Sequence, residues 1–269
     1  MQKRGVLLAL GIYVFAFLAL LVAVGALISI DNQTRHFMEE IKKVNLLPET
    51  DAPMDLGRVI DLKTEPIVNH RDTTDYLQEI FALLSQKSSI GTDSHHFRLT
   101  VAGKQQEGRA FSLPDGTIVV GTAELLEART EAEIAFIFGH EAGHIIHRDF
   151  AVSAARRKKM LKMRDEVQSQ NFFTRLAFER AADTVFLSGY LQSQVDADRF
   201  ALEVMGSAGY DGSAVLGVIQ EAGQLSKNRS DLLREKFQKE KSGRQFILKA
   251  PDDFRSWQQA LREFLKHQP

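Results

Sequence analysis

The start of the chain divides into an apolar run and a polar run. No charged residue occurs between Gly5 and Ile30, and at about 1.5 Å per helical residue this run exceeds the roughly 30 Å hydrocarbon core of a bilayer. We interpret residues 1–30 as an uncleaved transmembrane anchor, because the apolar part of a cleaved signal peptide has only about 7–15 residues. A long signal segment is the alternative. Residues 31–70 are mixed and polar with several prolines, which predicts a linker.

Beyond the linker, apolar positions recur first at helical and then at alternating spacing. Residues 72–84 follow the helical period behind a capping residue. Three short alternating runs, at 97–101, 110–113 and 117–120, predict the strands of a small sheet, with a Pro-Asp-Gly turn before the last. After the third run helical spacing dominates. The pattern therefore predicts an α+β fold, mostly helical, preceded by one transmembrane helix.

The length of the chain is sufficient for one domain with a C-terminal extension. The chain has 269 residues, enough for one sizeable core after the apolar run. We expect a domain at residues 71–226 and a packed helical extension at residues 227–269. A basic run at residues 156–164 is interpreted as a solvated helix face in preference to a contact with acidic lipid.

Composition narrows the function classes. The chain is 44% hydrophobic and 26% charged with a formal net charge of -1, which disfavours disorder and many membrane spans. A near-neutral chain also gives no electrostatic basis for binding nucleic acid. The chain contains no cysteine, which excludes disulfides, thiolate nucleophiles and cysteine-ligated zinc.

Residues 140–144 read His-Glu-Ala-Gly-His and follow an apolar segment that begins with a capping pattern. Thr130 and Glu133 form a capping box, in which each side chain satisfies a backbone N–H at the helix start. Helix is therefore expected through the motif. Positions four apart lie on one helix face, so His140 and His144 can reach a single metal ion.

Glu141 projects about 100° round the helix from His140, which puts a carboxylate beside such an ion. Zinc lowers the pKa of bound water from about 15.7 to near 7, and a neighbouring carboxylate can take the proton and pass it to a leaving amine. Without a metal, the two histidines and Glu141 would leave polar groups without partners on a core helix. The motif therefore predicts a zinc peptidase with Glu141 as general base.

Segments outside the motif make the pattern more specific. These segments are residues 109–116, 196–199 and 208–211, and they are considered together with residues 140–144. Over about residues 55–220 the chain resembles the HtpX-like and CAAX prenyl endopeptidases, zinc metallopeptidases of the gluzincin type, in their single-anchor or periplasmic branch. The resemblance implies a zincin-like metallopeptidase domain with a small sheet beside the active helix. It also implies that strand 117–120 borders the cleft, where it either pairs with an extended peptide or completes the sheet.

The resemblance further implies a third zinc ligand on a later helix, a Glu four residues before the Asp of an Ala-Asp pair. In this chain that register falls on Gln194, whose neutral amide is a poorer zinc ligand than a carboxylate. We prefer Gln194 at this position, with Glu179 and Asp196 as alternative third ligands. By the same resemblance Asp198 orients a ligating histidine from outside the ligand set.

The expected function is a membrane-anchored zinc endopeptidase that acts on unfolded or misassembled polypeptides in protein quality control. We expect the catalytic domain on the extracytoplasmic, periplasmic side. The alternative is an impaired relative that serves as a protein-binding or chaperone-like module, because Gln194 has replaced a charged ligand. A prenyl-protein endopeptidase is disfavoured, since those relatives span the bilayer many times and this chain offers one span.

Overall fold

A computed structural model describes residues 2–43, 68–86, 90, 96–103, 110–215 and 251–267. Most of the predicted linker, the first residue of segment 109–116 and much of the predicted C-terminal extension lie outside these residues. The elements in chain order are α1 (Gln2–Lys42), α2 (Arg71–Gln86), β1 (Arg98–Ala102), β2 (Phe111–Ser112), β3 (Thr117–Gly121), α3 (Thr122–Glu127), α4 (Glu131–Ile146), α5 (Asp149–Val167), α6 (Phe172–Ala208), a 3-10 turn (Gly212–Val215) and α7 (Pro251–Lys266). The predicted mostly helical α+β class is confirmed.

The described residues form two compact units. The first contains those of 1–46 and 153–190, and the second contains those of 47–152 and 191–269. The domain bounds expected from the sequence stay a prediction. Residues 153–190, which come after the zinc motif in sequence, pack with the N-terminal helix.

In the first unit, α1 continues well past its apolar run. Among the described residues, one helix has the length and composition to cross a membrane, and it is Phe15–Lys42. The large apolar side chains from Phe15 to Ile28 are exposed, whereas Ile41 near the end is fully buried. It packs in a small cluster with Val167 at the end of α5 and Phe178 in α6.

The sheet in the second unit has the order β1-β3-β2. β1 runs parallel to β3, with Arg98 opposite Thr117, and β2 runs antiparallel to it, with Phe111 opposite Val119. Gly116, at φ +88°, supplies the left-handed backbone that the β2–β3 turn requires. Because β3 lies between the other two strands, the structure supports the alternative that strand 117–120 completes the sheet and contradicts its pairing with a peptide substrate. In the described sheet β2 is an edge strand.

The core of the second unit joins α2, the sheet, α4, the end of α6 and α7. Phe138 of α4 and Leu77 of α2 are fully buried within it. α7 is held in place by two kinds of contact. Trp257 stacks on Tyr76 with ring centroids 4.6 Å apart, and the Gln258 amide donates to backbone carbonyls at the end of α3. Helix α4, which carries the His-Glu-Ala-Gly-His motif, is thus packed between elements that fix its position.

Candidate metal centre

Helix α4 begins where its sequence predicts. Thr130 is the N-cap residue, and its hydroxyl accepts a hydrogen bond from the Glu133 backbone N–H at 3.3 Å. The Glu133 carboxylate accepts in return from the backbone N–H of Arg129 at 2.6 Å, one residue before the predicted donor. Glu131 and Glu133 also place negative charge in the first turn, where it favours the helix dipole.

A buried carboxylate ties this helix to its neighbours. Glu131 accepts hydrogen bonds from the Tyr210 hydroxyl at 2.7 Å and from the Tyr76 hydroxyl at 2.5 Å. Burial, followed by these bonds to Glu131, raises the pKa of both tyrosines above the ordinary range. The hydroxyls therefore stay protonated as donors, and they connect α4 to α2 and to the residues that follow α6.

The close approach of α4 and α6 depends on small side chains. A Cβ atom added to Gly139 would lie 2.9 Å from the Cα of Ala201, and one added to Gly143 would lie 3.0 Å from the Cα of Ala197. These distances are shorter than ordinary carbon contacts. The glycines and alanines, each pair four residues apart, let the two helix backbones nearly touch. Residues of α6 can therefore reach the histidines of α4.

The structure brings His140 and His144 together at their Nε2 atoms, which lie 3.1 Å apart. Each Nδ1 atom faces a carboxylate: His140 contacts Asp198 at 2.8 Å and His144 contacts Asp149 at 2.7 Å. Carboxylates accept hydrogen bonds, so in the neutral form of each ring Nδ1 carries the proton and Nε2 keeps a lone pair. Two lone pairs directed at one point repel each other, and a cation between them would remove that repulsion.

Asp149 is a site residue that the sequence did not indicate. It begins α5, five positions after His144, and comes back to that ring because the intervening chain turns sharply. Arg148 takes a left-handed conformation at φ 56°, which costs a side-chain-bearing residue about 1–2 kcal/mol. A His followed five residues later by an Asp is the available signal, and it is too common to identify such a contact alone.

Gln194 lies beside His144, as the predicted register requires. Its side-chain Nε2 atom is 3.1 Å from the Nε2 of His144, where it donates a hydrogen bond to the free lone pair. Rotation of the amide by half a turn puts its carbonyl oxygen in the same place. Gln194 is one turn of α6 before Asp198, so a single helix face supplies both residues.

Glu141 points towards the sheet and is 7% exposed. One of its carboxylate oxygens accepts a hydrogen bond from the hydroxyl of Ser112, at 2.8 Å. Ser112 lies on β2, so this bond places the Glu141 carboxylate beside that strand. The sequence analysis did not single out Ser112, because the contact joins residues far apart in the chain.

Neither alternative ligand has a described contact with His140 or His144. Asp196 accepts from the side chain of Gln192 at 3.0 Å, and Glu179 is an exposed residue of the first compact unit. Within the described part of the chain, no group of three or more His, Cys, Asp or Glu side chains is arranged to hold a metal ion. Of the three residues weighed for this position, Gln194 is the one in contact with a motif histidine.

Comparison with known proteins identifies one family and two named relatives. A family model described as Peptidase family M48 matches residues 71–253. The chain is 31% identical over 126 residues to the mitochondrial metalloendopeptidase OMA1 of Arabidopsis thaliana, a match that covers 43% of this chain and 24% of that protein. It is 21% identical over 163 residues to a Vibrio cholerae protein named as a beta-barrel assembly-enhancing protease, covering 56% of this chain and 33% of that one.

The matches thus span about a quarter and a third of the length of these two relatives. The family model spans well over half of the present chain and includes the motif helix, the edge strand and the contact between α4 and α6. The resemblance to HtpX-like zinc peptidases is confirmed at the level of the family. On this coverage, the chain belongs to peptidase family M48.

Proposed function

We propose that the protein is a membrane-anchored, zinc-dependent endopeptidase that cleaves unfolded or misassembled polypeptides. The observation that carries the proposal is the 3.1 Å approach of two imidazole nitrogens, each backed by a carboxylate, on the helix that carries Glu141. Membership of a peptidase family supports the activity. The mitochondrial relative, which is named a metalloendopeptidase, supports the class of reaction.

The donor set fits zinc. Two nitrogen ligands on a tetrahedral zinc ion, each about 2.0–2.1 Å from it, lie about 3.3 Å apart, close to the observed separation. Carboxylates that accept from the outer ring nitrogen are common behind zinc-bound histidines, because they fix the tautomer and strengthen the ligand. We assign His140 and His144 as ligands, and Asp198 and Asp149 as the residues that hold the two rings in position.

Glu141 is the proposed general base. When bound, zinc supplies Lewis-acid chemistry, which acidifies water and polarises a peptide carbonyl. Ser112 holds one carboxylate oxygen of Glu141, and the other oxygen is left to take a proton from the attacking water. Glu141 then delivers that proton to the leaving amine. An extended polypeptide would bind beside β2, the strand that carries Ser112, and be held there through its backbone groups.

Gln194 is the proposed third ligand, through its amide oxygen. A neutral ligand leaves more charge on zinc than a carboxylate does, and it binds the ion less tightly. The same observation favours a second candidate function, an impaired relative that binds polypeptides without cleaving them. Zinc affinity and cleavage must therefore be measured separately.

Helix α1 supports the proposed membrane anchor, and the two relatives support the proposed substrate class. The helix Phe15–Lys42 is long and apolar enough to span a bilayer. One relative is named for mitochondria and the other for β-barrel assembly, which supports quality control of proteins at membranes. Binding of an extended polypeptide through its backbone depends little on its side chains, which suits unfolded chains of varied sequence. We propose an extracytoplasmic position for the catalytic domain.

The proposal is tested with the full chain purified in detergent micelles, by measuring bound zinc and the cleavage of an unfolded protein. We expect one zinc ion per chain, and Glu141→Gln should keep the metal while losing about 10²–10⁴-fold in rate. Glu127→Gln, an exposed position on α3, is the matched control and should change neither quantity.

Gln194→Glu separates the two candidate functions. For a peptidase with a weak third ligand, this variant binds zinc more tightly than wild type, and wild type already cleaves. Zinc binding without cleavage in wild type, with cleavage gained in Gln194→Glu, would establish the impaired relative instead. Cleavage that survives Glu141→Gln would show that the assigned base is wrong.

A further inference from the structure

Two phenylalanine side chains are exposed at the turn of the helical hairpin formed by α5 and α6. Phe172 is 62% exposed and Phe173 is 50% exposed, with their ring centroids 5.7 Å apart. They are the first residues of α6 and follow the short turn after α5. We call residues 168–173 the hairpin tip. Phe178, one and a half turns further along α6, is buried, which separates this exposed pair from Phe186, exposed further along the same helix.

The hairpin packs against the polar end of α1 through two contacts that fix its direction. The Lys159 ammonium of α5 donates to the Lys43 carbonyl at 2.8 Å. Phe37 of α1 packs edge-on against Phe178 of α6 with centroids 5.6 Å apart. Going back along α1 from Lys43 to Phe37 therefore leads from the open end of the hairpin towards its tip. α1 runs antiparallel to α5 and parallel to α6.

This direction places the tip level with the end of the apolar run. Phe172 lies six residues before Phe178, which is about 9 Å along the helix axis. The residue six positions before Phe37 on the parallel helix α1 is Asp31, the first charged residue after the apolar run. The hairpin tip and Asp31 are thus at nearly the same height along α1.

The burial of side chains along α1 independently indicates the same height along this helix. Val22 is 74% exposed and Ile28 is 57% exposed, whereas Ile30 is 6% exposed and Ile41 is fully buried. The packed part of α1 therefore begins at about Ile30. If the exposed apolar part lies in a bilayer, the surface of that bilayer passes close to the hairpin tip.

We infer that the hairpin tip inserts Phe172 and Phe173 into the interfacial layer of the bilayer that α1 spans. This inference rests on the proposed membrane anchor. Aromatic rings at this depth lose water contact without entering the hydrocarbon centre, where the polar turn could not follow. The protein thus contacts the membrane at two places, α1 and the hairpin tip. The second contact limits how far α1 can tilt in the bilayer.

The charges near the tip decide which lipid is required. They are mixed in sign: Arg164, Asp165, Glu166 and Arg175. Mixed charges give little net attraction to an acidic surface. The binding is therefore apolar, and a bilayer of phosphatidylcholine alone is sufficient.

The test uses tryptophan substitutions in the full chain, reconstituted in phosphatidylcholine vesicles whose acyl chains are brominated near the head group. Phe172→Trp places the fluorophore at the tip. Phe186→Trp is the matched control, since Phe186 is 64% exposed on the same helix but about 21 Å further along it. Val22→Trp, read in vesicles brominated at mid-chain, reports the anchor. The native Trp257 signal of the wild-type protein is subtracted.

We expect Phe172→Trp emission to shift to shorter wavelength and to lose most of its intensity, while Phe186→Trp keeps both. Quenching of Val22→Trp without quenching of Phe172→Trp overturns the tip contact and leaves the anchor standing. If Val22→Trp is not quenched, the proposed membrane anchor is wrong. Equal quenching at Phe172→Trp and Phe186→Trp means that α6 lies flat on the membrane, which also refutes the inference. Phe173→Trp repeats the measurement with an independent variant.

Discussion

A single added methyl group at Gly143 tests whether the near contact of α4 and α6 builds the metal centre. The new Cβ of Gly143→Ala would lie 3.0 Å from the Cα of Ala197 and 3.3 Å from the Cβ of Phe200. An ordinary contact begins at 3.4 Å, so the helices must separate by about 0.4 Å. Gln194 and Asp198 lie on the displaced face of α6, and their contacts with the histidines should lengthen by a similar amount.

The expected result is a loss of zinc affinity that is large compared with the loss of stability. Overpacking costs about 1–3 kcal/mol, and exchanging Gly for Ala inside a helix returns about 1 kcal/mol, so the net change in unfolding free energy is between about 0 and 2 kcal/mol. Disturbing the residues that hold zinc ligands typically costs 10–100-fold in affinity, and we expect Gly143→Ala to fall within about this range.

The assay is a competitive chelator titration of zinc, run beside thermal melting of the metal-free full chain in micelles. Gly25→Ala is the control for helix propensity, because no atom lies within 4 Å of a Cβ added there. If Gly143→Ala binds zinc as tightly as wild type, the close approach of the helices does not position the ligands. A melting temperature that collapses together with zinc binding would equally refute the proposed separation of the two effects.

Three further substitutions probe the groups around the site. Asp149→Asn should weaken zinc binding by about 10–100-fold with little change in melting, measured by the same titration. Ser112→Ala removes a hydrogen bond to the buried carboxylate of Glu141 and should lower kcat by roughly 10–100-fold at unchanged zinc content, since such bonds contribute about 1.5–3 kcal/mol. Burial and the bond to Glu131 raise the pKa of Tyr210, so the stability it contributes is complete below about pH 10, its unfolded value, and is lost as the pH rises further. Tyr210→Phe should therefore flatten the alkaline fall of the unfolding free energy by about 1.4 kcal/mol per pH unit, and an unchanged slope would contradict this assignment.

The local elements were predictable because their signals are local. The capping residue Thr130 and the apolar residues after it mark the start of α4, and the three strand runs are observed close to their predicted positions. Gln194 was placed by the register of a motif, and it lies against His144 because α6 is one continuous helix through that region.

The remaining features depend on how distant segments meet. The order of the strands is set by pairing between distant segments, and the pattern within each strand does not specify that β3 lies in the centre. Ser112 and Asp149 have ordinary sequence surroundings and become part of the site through the turn of β2 and the left-handed Arg148. The packing of residues 153–190 with α1 likewise follows from contacts such as Phe37 on Phe178.

The most direct measurement of the central claim is the zinc K-edge X-ray absorption spectrum of the zinc-loaded full chain. If His140 and His144 share the ion, the spectrum contains two imidazole rings at about 2.0–2.1 Å, and the His140→Ala variant has one ring fewer or no bound zinc. A spectrum that shows oxygen neighbours alone, or that His140→Ala leaves unchanged, would contradict the assignment of the metal centre.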